Sequence, residues 1–322
     1  MKVLLPTTIA LDLPSSQDLA SQRIDYVPYD PKQALPSSAY DAEVLVAWGT
    51  PLARLREAAE HCQQLRLVQT LAAGPNAIVQ AGFAEHIALC SGRGLHDDTV
   101  AEHTLALLLA AARRLHVLRD AQKAKRWASD IGGIQPVKTP GLFATLSGAR
   151  VLVWGFGSIA QRLAPLLQAL GAEVEGVARS AGVRAGYTVY AEQELEARLP
   201  HADALVMILP SAPANYQALN AARLACLPAH AWLVNVGRGD TVDEAALLEA
   251  LTSGQLAGAA LDVFDQEPLP ESSPLWQCDN VIISPHAAGG RPRGAEALIA
   301  HNVMALLEGN SLRNQIDRAK GY

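Results

Sequence analysis

Three features of the sequence predict an α/β protein of two Rossmann-like domains built on doubly wound parallel sheets, one of them discontinuous. Short apolar runs of strand length alternate with helical patterns along all 322 residues, as in successive βαβ units. One such run passes through two glycines straight into a helical pattern. A last helical pattern has no strand after it, so it has to pack on a domain begun earlier. The chain is too long for one small core. The boundaries are placed at 1–98 with 291–322 for one domain and at 99–290 for the other.

Val3–Leu5 opens the first domain as a strand. Ser15–Ser21 is a weak helix, and Ala42–Trp48 is a buried strand turning at Gly49. Leu52–Cys62 is amphipathic and helical after Thr50-Pro51. Leu65–Thr70 is a strand that ends in the small-residue turn Leu71-Ala72-Ala73-Gly74-Pro75-Asn76, and Ile87–Cys90 is another strand. Thr99–Leu118 reads as one long helix. Asp97, Asp98 and Thr99 supply capping oxygens and early negative charge, and Arg113, Arg114 and His116 stand near its end. Its apolarity points to burial between domains or in a dimer contact. Lys123–Phe143, with Gly132-Gly133, Pro136 and Pro140-Gly141, reads as an irregular arm or loop over a partner. Further strands are expected at Ala202–Leu209, Ala231–Val236, Ala259–Val263 and Val281–Ser284, with a helix at Asp243–Leu251. The final helix, Arg291–Asn310, is expected to return to the first domain.

The centre of the chain is Val151-Leu152-Val153-Trp154-Gly155-Phe156-Gly157-Ser158-Ile159-Ala160. A buried strand, a glycine turn and a helix ending at Gly171 lead to a second strand, Glu173–Ala178. A βαβ unit of this size binds a dinucleotide. Gly155 allows the sharp turn and Gly157 allows the backbone to approach a pyrophosphate. The helix start offers free N–H groups and the positive dipole end. An ordinary tight βα turn is the alternative.

Composition narrows the partners. Apolar residues make up 50% and charged residues 18%, with a net charge of −6 and no basic run. Nucleic acid and anionic membrane are therefore not expected as partners. No stretch approaches the roughly 18 apolar residues of a membrane span, and Met1–Pro6 reads as a strand rather than an export leader. Cys62, Cys90, Cys226 and Cys278 lie far apart, which fits reduced thiols in a cytoplasmic protein and no metal site.

Arg238, Glu267 and His286 stand at or just beyond strand ends, where a doubly wound sheet assembles its site. A guanidinium forks onto a carboxylate. A histidine suits acid/base work at a carbonyl, and a neighbouring carboxylate orients it. Each has another reading: Arg238 paired with Asp240, Glu267 as a solvated loop charge, His286 as a satisfied loop histidine. The remaining histidines, His103 among them, lack a companion constellation and read as structural or surface residues.

From Gly74 onward these motifs recur in an order and spacing that resemble the D-isomer-specific 2-hydroxyacid dehydrogenase family, in its NADP-preferring, glyoxylate/hydroxypyruvate reductase-like branch. They are Ala101-Glu102, Gly155–Ala160, Leu209-Pro210, Asn235-Val236-Gly237-Arg238-Gly239, Leu261-Asp262-Val263-Phe264 with Glu267-Pro268-Leu269, and Ser284–Gly289. The resemblance implies a discontinuous substrate domain, a central cofactor domain and a homodimer built on the cofactor domains. It implies that Arg238 binds the substrate carboxylate and keto group, that His286 gives the proton with Glu267 as partner, and that backbone near Ala73 and Gly74 takes the carboxylate. Asp262 would hold the carboxamide side of the nicotinamide. The cofactor-contacting set is then Val100, Gly155, Gly157, Ser158, Ile159, Arg179, Ser180, Pro210, Val236, Gly237, Arg238, Asp262, His286 and Ala288.

Two departures matter. Ser211-Ala212-Pro213 stands where the family often has a threonine-containing turn, a departure that by the resemblance would alter an adenine-side contact only. At the end of the second strand, where NAD-preferring members carry an aspartate, stands Ala178 followed by Arg179-Ser180, with Arg184 nearby. An arginine beside a hydroxyl suits a 2′-phosphate, and no carboxylate repels it. The expectation is an NADP(H)-preferring reductase of a 2-keto acid to its D-2-hydroxy acid, with NAD(H) as a possible second cofactor. The alternatives are a nucleotide-sensing, non-catalytic binding protein of the same fold and a formate-dehydrogenase-like enzyme, which pairs glutamine with its histidine.

Overall fold

A computed structural model describes residues 1–13, 24–132 and 142–318. The weak helix expected at Ser15–Ser21 lies outside them, as does the whole segment between Gly132 and Leu142. The chain forms two compact units, Met1–His96 with the segment from Arg291 on, and Asp97–Gly290. The first boundary falls after His96, because Asp97 and Asp98 already belong to the first turn of a helix of the second unit.

The first unit contains strands β1 (Lys2–Pro6), β2 (Asp25–Tyr29) and β3 (Val44–Ala47), helix α1 (Leu52–His61), β4 (Leu67–Thr70), helix α2 (Asn76–Gln80) and β5 (Ala88–Cys90). Its described strands lie in the order β2-β1-β3-β4-β5, all parallel. Every residue of β3 and β4 is buried, as expected of a parallel sheet covered on both faces. Alternate side chains feed two apolar clusters. Leu4, Leu45 and Val68 meet Leu55 and Ala58 of α1 in one. Val3, Val44, Val46 and Leu67 join Ala295, Leu298, Ile299 and Val303 of the last helix in the other. β2 and α2 escape the sequence reading. β2 carries Pro28, which an edge strand tolerates and an apolar-run search discounts.

The second unit contains α3 (Asp97–Ala112), α4 (Leu115–Lys123), α5 (Ser129–Gly132), β6 (Arg150–Trp154), α6 (Ser158–Ala169), β7 (Glu173–Ala178), β8 (Gly182–Arg184), β9 (Tyr187–Ala191), α7 (Leu195–Arg198), β10 (Ala204–Met207), α8 (Ala221–Leu224), β11 (Trp232–Asn235), α9 (Glu244–Thr252), β12 (Gly258–Leu261) and β13 (Val281–Ile283). The last helix, α10 (Ala295–Glu308), belongs to the first unit, where Asn302 donates to Gln69 Oε1 at 2.6 Å in the core. The strands of the second unit run β13-β12-β11-β10-β6-β7-β9-β8, parallel except for the hairpin β8–β9. The order reverses between β6 and β10, the position where such sheets hold their ligand at the carboxyl ends.

The long helix predicted over Thr99–Leu118 is two helices. Arg114 adopts φ 54°, and the chain turns there between α3 and α4. α3 buries seven residues spread from Val100 to Ala112 and α4 fully buries only Ala121, so the two follow different paths. α3 packs inside its own unit, with Val100, Ala101, Leu107 and Leu108 in one core with Leu163 and Leu167 of α6 and Val151 and Val153 of β6. This contact accounts for the buried face of the helix. The oxygens expected to cap it serve tertiary bonds. Asp97 accepts the Ser158 hydroxyl at 3.1 Å, Asp98 pairs with Arg162, and Thr99 donates to the Gly289 carbonyl at 2.6 Å.

Candidate active site

The turn after β6 is built for close backbone approach. Gly155 has φ 101°, and a Cβ there would lie 2.6 Å from the Ile208 carbonyl oxygen that follows β10. Only glycine fits both constraints. Gly157 differs: a Cβ there meets nothing within 4 Å, and open space lies over the start of α6. The amides of Ser158, Ile159 and Ala160 occupy the first turn, which has no intrahelical acceptors. This open, donor-rich turn fits a pyrophosphate. Gly157 N–H itself bonds the Gly155 carbonyl at 3.0 Å, and the Ser158 hydroxyl is held by Asp97. Phe156 is buried beneath the turn. A Cβ on Gly176 of β7 would stand 2.3 Å from its ring, so that glycine makes the ring's space.

The structure brings His286 and Glu267 together at the carboxyl edge of the same sheet. His286 Nδ1 lies 2.7 Å from Glu267 Oε2, and Glu267 Oε1 accepts the Phe264 amide at 3.0 Å. Glu267 is therefore not merely a solvated loop charge. Partial burial pushes its carboxyl up, but this is outweighed by the His286 hydrogen bond, the Phe264 amide and the charges of His286 and Arg238, and the net shift is downward. The glutamate is thus held ionised beside the imidazole. The Nδ1 contact leaves Nε2 of the half-exposed imidazole available as a hydrogen-bonding group.

Arg238 follows β11. Burial pushes its guanidinium down, against the charges of Glu267 and Asp240. Among the described residues its one hydrogen bond runs from Nη1 to the Gly237 carbonyl at 2.6 Å. It makes no ion pair with Asp240, whose carboxylate instead accepts the Ser211 hydroxyl. A largely buried guanidinium with unused donors suits an incoming carboxylate. Gly237 has no room for a Cβ, which would sit 2.6 Å from the Leu209 carbonyl oxygen, and Val236 is buried. Pro210 is exposed beside them.

Asp262 is fully buried, and its carboxylate is engaged. Oδ1 accepts the Ser284 hydroxyl at 2.6 Å and the Ala287 amide at 2.9 Å, and Oδ2 accepts the Ala288 amide at 3.0 Å. Its carbonyl accepts the His286 amide at 2.8 Å. Asp262 thus holds the loop that presents His286, which has φ 52°. His103 closes the group, with Nε2 at 3.0 Å from Ser284 Oγ and 3.4 Å from Asp262 Oδ1. The sequence reading passed over His103. Its one signal was a polar residue in an apolar helix, and its partners lie 159 and 181 positions away. Val100 and Ala288 are buried in the same core.

At the end of β7, Arg179 and Ser180 are exposed. Arg184, on β8, donates from Nη1 to the Phe156 carbonyl at 2.9 Å and from Nη2 to the Ser180 carbonyl and hydroxyl at 3.0 and 3.1 Å. Ala73 and Gly74 lie in the first unit, between β4 and α2. Gly74 lines a cavity of about 430 Å³ with Trp48, Thr50, Thr70 and Ala72. The turn is held by a close approach that needs glycine at position 92, where a Cβ would stand 2.1 Å from the Leu71 carbonyl oxygen.

Among the described residues no cluster of side chains could hold a metal ion, and no helix is long and apolar enough to cross a membrane. Residues 105–288 match the model of the NAD-binding domain of D-isomer specific 2-hydroxyacid dehydrogenases. A glyoxylate/hydroxypyruvate reductase A of Salmonella paratyphi B is 40% identical over 172 residues, which span 53% of this chain and 55% of that enzyme. A solved family protein from Aeromonas salmonicida superposes with a TM-score of 0.81 at 30% identity, covering 98% of each chain. Another, from Xanthobacter autotrophicus Py2 in complex with NADPH and MES, gives 0.77 at 29% identity over 100% of this chain and 99% of that one. A nicotinamide dinucleotide is the cofactor that such a domain holds, and the turn after β6 has the space and donors for it. On the strength of both the matched domain and the shared fold, this oxidoreductase belongs to the D-isomer specific 2-hydroxyacid dehydrogenase family.

Proposed function

We propose that the protein reduces a small 2-keto acid to the D-2-hydroxy acid with NADPH, and catalyses the reverse reaction with NADP. The observation that carries this is the His286–Glu267 contact of 2.7 Å, on the same sheet edge as Arg238 with its unused donors. When bound, the nicotinamide supplies the hydride to the keto carbon. Arg238 binds the substrate carboxylate and polarises the keto group. His286 delivers a proton from Nε2 to the developing alkoxide, and ionised Glu267 stabilises the imidazolium that makes this possible. Asp262 keeps the His286 loop in place, and whatever it offers the carboxamide is additional to that.

The preference for NADPH rests on Arg179 and Ser180 at the exposed end of β7, where no carboxylate stands. The NADPH complex of the Xanthobacter protein and the reductase relatives support the reading and suggest glyoxylate or hydroxypyruvate as substrate. A cytoplasmic homodimer is the expected setting. The test is steady-state turnover of glyoxylate, hydroxypyruvate, pyruvate and phenylpyruvate with each cofactor. Turnover with a higher kcat/KM for NADPH supports the proposal, a clear NADH preference removes the cofactor assignment, and nucleotide binding without any turnover favours the nucleotide-sensing alternative.

A further inference from the structure

The guanidinium of Arg184 joins two loops that have separate tasks in the reading above. Its Nη1 holds the Phe156 carbonyl, inside the glycine turn, at 2.9 Å. Its Nη2 holds Ser180, in the loop after β7, through the carbonyl at 3.0 Å and the hydroxyl at 3.1 Å. The peptide plane is rigid, so fixing the Phe156 carbonyl also fixes the plane that carries the Gly157 N–H and sets the entry into α6. The Phe156 side chain is locked from below by the missing Cβ of Gly176 and packs near Tyr187, with ring centroids 6.0 Å apart. Arg184 is placed by the short β8–β9 hairpin, and β9 pairs in parallel with β7.

We infer that Arg184 is a positioning residue that ties the 2′-phosphate loop to the pyrophosphate turn, so that the two are presented to the cofactor as one surface. With three hydrogen bonds to the protein, it is not itself the group that selects the phosphate; that task is left to Arg179 and Ser180. The inference rests on the NADPH reading for the naming of the loop, but the turn it braces serves either cofactor. Removing the brace therefore weakens NADPH and NADH together. A direct phosphate ligand weakens NADPH alone.

The experiment measures KM and kcat with both cofactors for wild type, Arg184→Met, Arg184→Lys and Arg179→Ser. A bridge of charge-assisted hydrogen bonds predicts that Arg184→Met raises KM for NADPH and for NADH by about 10-fold each, with kcat changed less than about threefold. Arg184→Lys does not rescue, because one ammonium cannot fork across both loops. Arg179→Ser raises KM for NADPH only. A loss confined to NADPH in Arg184→Met, restoration by Arg184→Lys, or unchanged KM values would each overturn the inference. If Arg184→Met does not fold, the Arg184→Lys protein decides alone: unchanged KM values refute the bridge, and a joint rise supports it. A wild-type preference for NADH would refute the cofactor assignment and still leave the joint KM effect to be read.

Discussion

The two sheets each reverse their strand order once, and the two reversal points are built differently. In the second unit, β6 and β10 are followed by Gly155 and Ile208, packed so closely that a Cβ cannot intervene, and the helix that follows opens under free space at Gly157. In the first unit the reversal lies between β1 and β3. There Thr8 Oγ1 donates to the Trp48 carbonyl at 2.7 Å, and Gly49, at φ 65°, packs against the Thr8 side chain. The same topology thus supplies a ligand position in one sheet and a hydrogen-bonded closure in the other. The edges also differ in charge. Beyond β11, β12 and β13 stand Arg238, Glu267 and His286, whereas the turns beyond β3 and β4 carry Trp48, Thr50, Ala72 and Gly74. Topology marks where a site can be, and the residues of the turns decide whether one is there.

Substitutions test this contrast, the strongest first. His286→Ala should lower kcat by about 10³-fold, the scale of a positioned proton donor, measured with NADPH and glyoxylate. Near-normal turnover would return His286 to the satisfied-loop reading. Glu267→Gln should cost about 10²-fold, since the carboxylate only assists the imidazole. The pair also has a pH signature. The Glu267 pKa is lowered in the folded state, so its stabilising contribution is present above the ordinary glutamate value and lost as pH falls through the lowered one. Melting temperatures of wild type and Glu267→Gln should therefore converge on acidification. A gap that widens there would mean the carboxyl is not held ionised.

Arg179→Asp should move the kcat/KM ratio from NADPH toward NADH by about 10- to 100-fold, as one charge-assisted contact is exchanged for a repulsion. An unmoved ratio would place cofactor choice elsewhere. The glycines give the most direct contrast between the two reversal points. Gly157→Ala should leave thermal stability almost unchanged, because no atom lies within 4 Å of the new methyl, yet raise KM for either cofactor. Gly49→Ala should do the opposite, losing about 1 kcal/mol of stability to its positive φ while KM for the cofactor stays put. The smallest effect concerns thiols. Burial pushes Cys62 up to about 11, helped by the Glu57 and Asp41 charges, and Cys90 up to about 12. At pH 8 both should resist alkylation in the native protein and react on unfolding.

The βαβ core was legible because parallel strands buried on both faces read as unbroken apolar runs, such as Val151–Trp154 and Ala204–Met207. Gly155, Arg238, Glu267 and His286 were legible because each breaks its surroundings chemically at a strand end. β2 was hidden by its proline, and the bend at Arg114 by an unbroken helical pattern. The tasks of His103, Ser284 and Asp262 were hidden because their bonds cross more than twenty positions of sequence in every case. Asp262 read as a ligand for the nicotinamide, but burial made it first an anchor for the His286 loop.

By itself the sequence determined the alternation of strands and helices, the glycine turn and the identity of the ionisable groups, because these depend on residue type and local spacing. Only the tertiary structure decided which of those groups meet. The 2.7 Å contact of His286 with Glu267, and the bridge from Arg184 to Phe156 and Ser180, depend on how separate strands end side by side in one sheet. No local propensity encodes that arrangement. It follows from burying the central strands of each sheet on both faces, which fixes the strand register and with it the place of each turn.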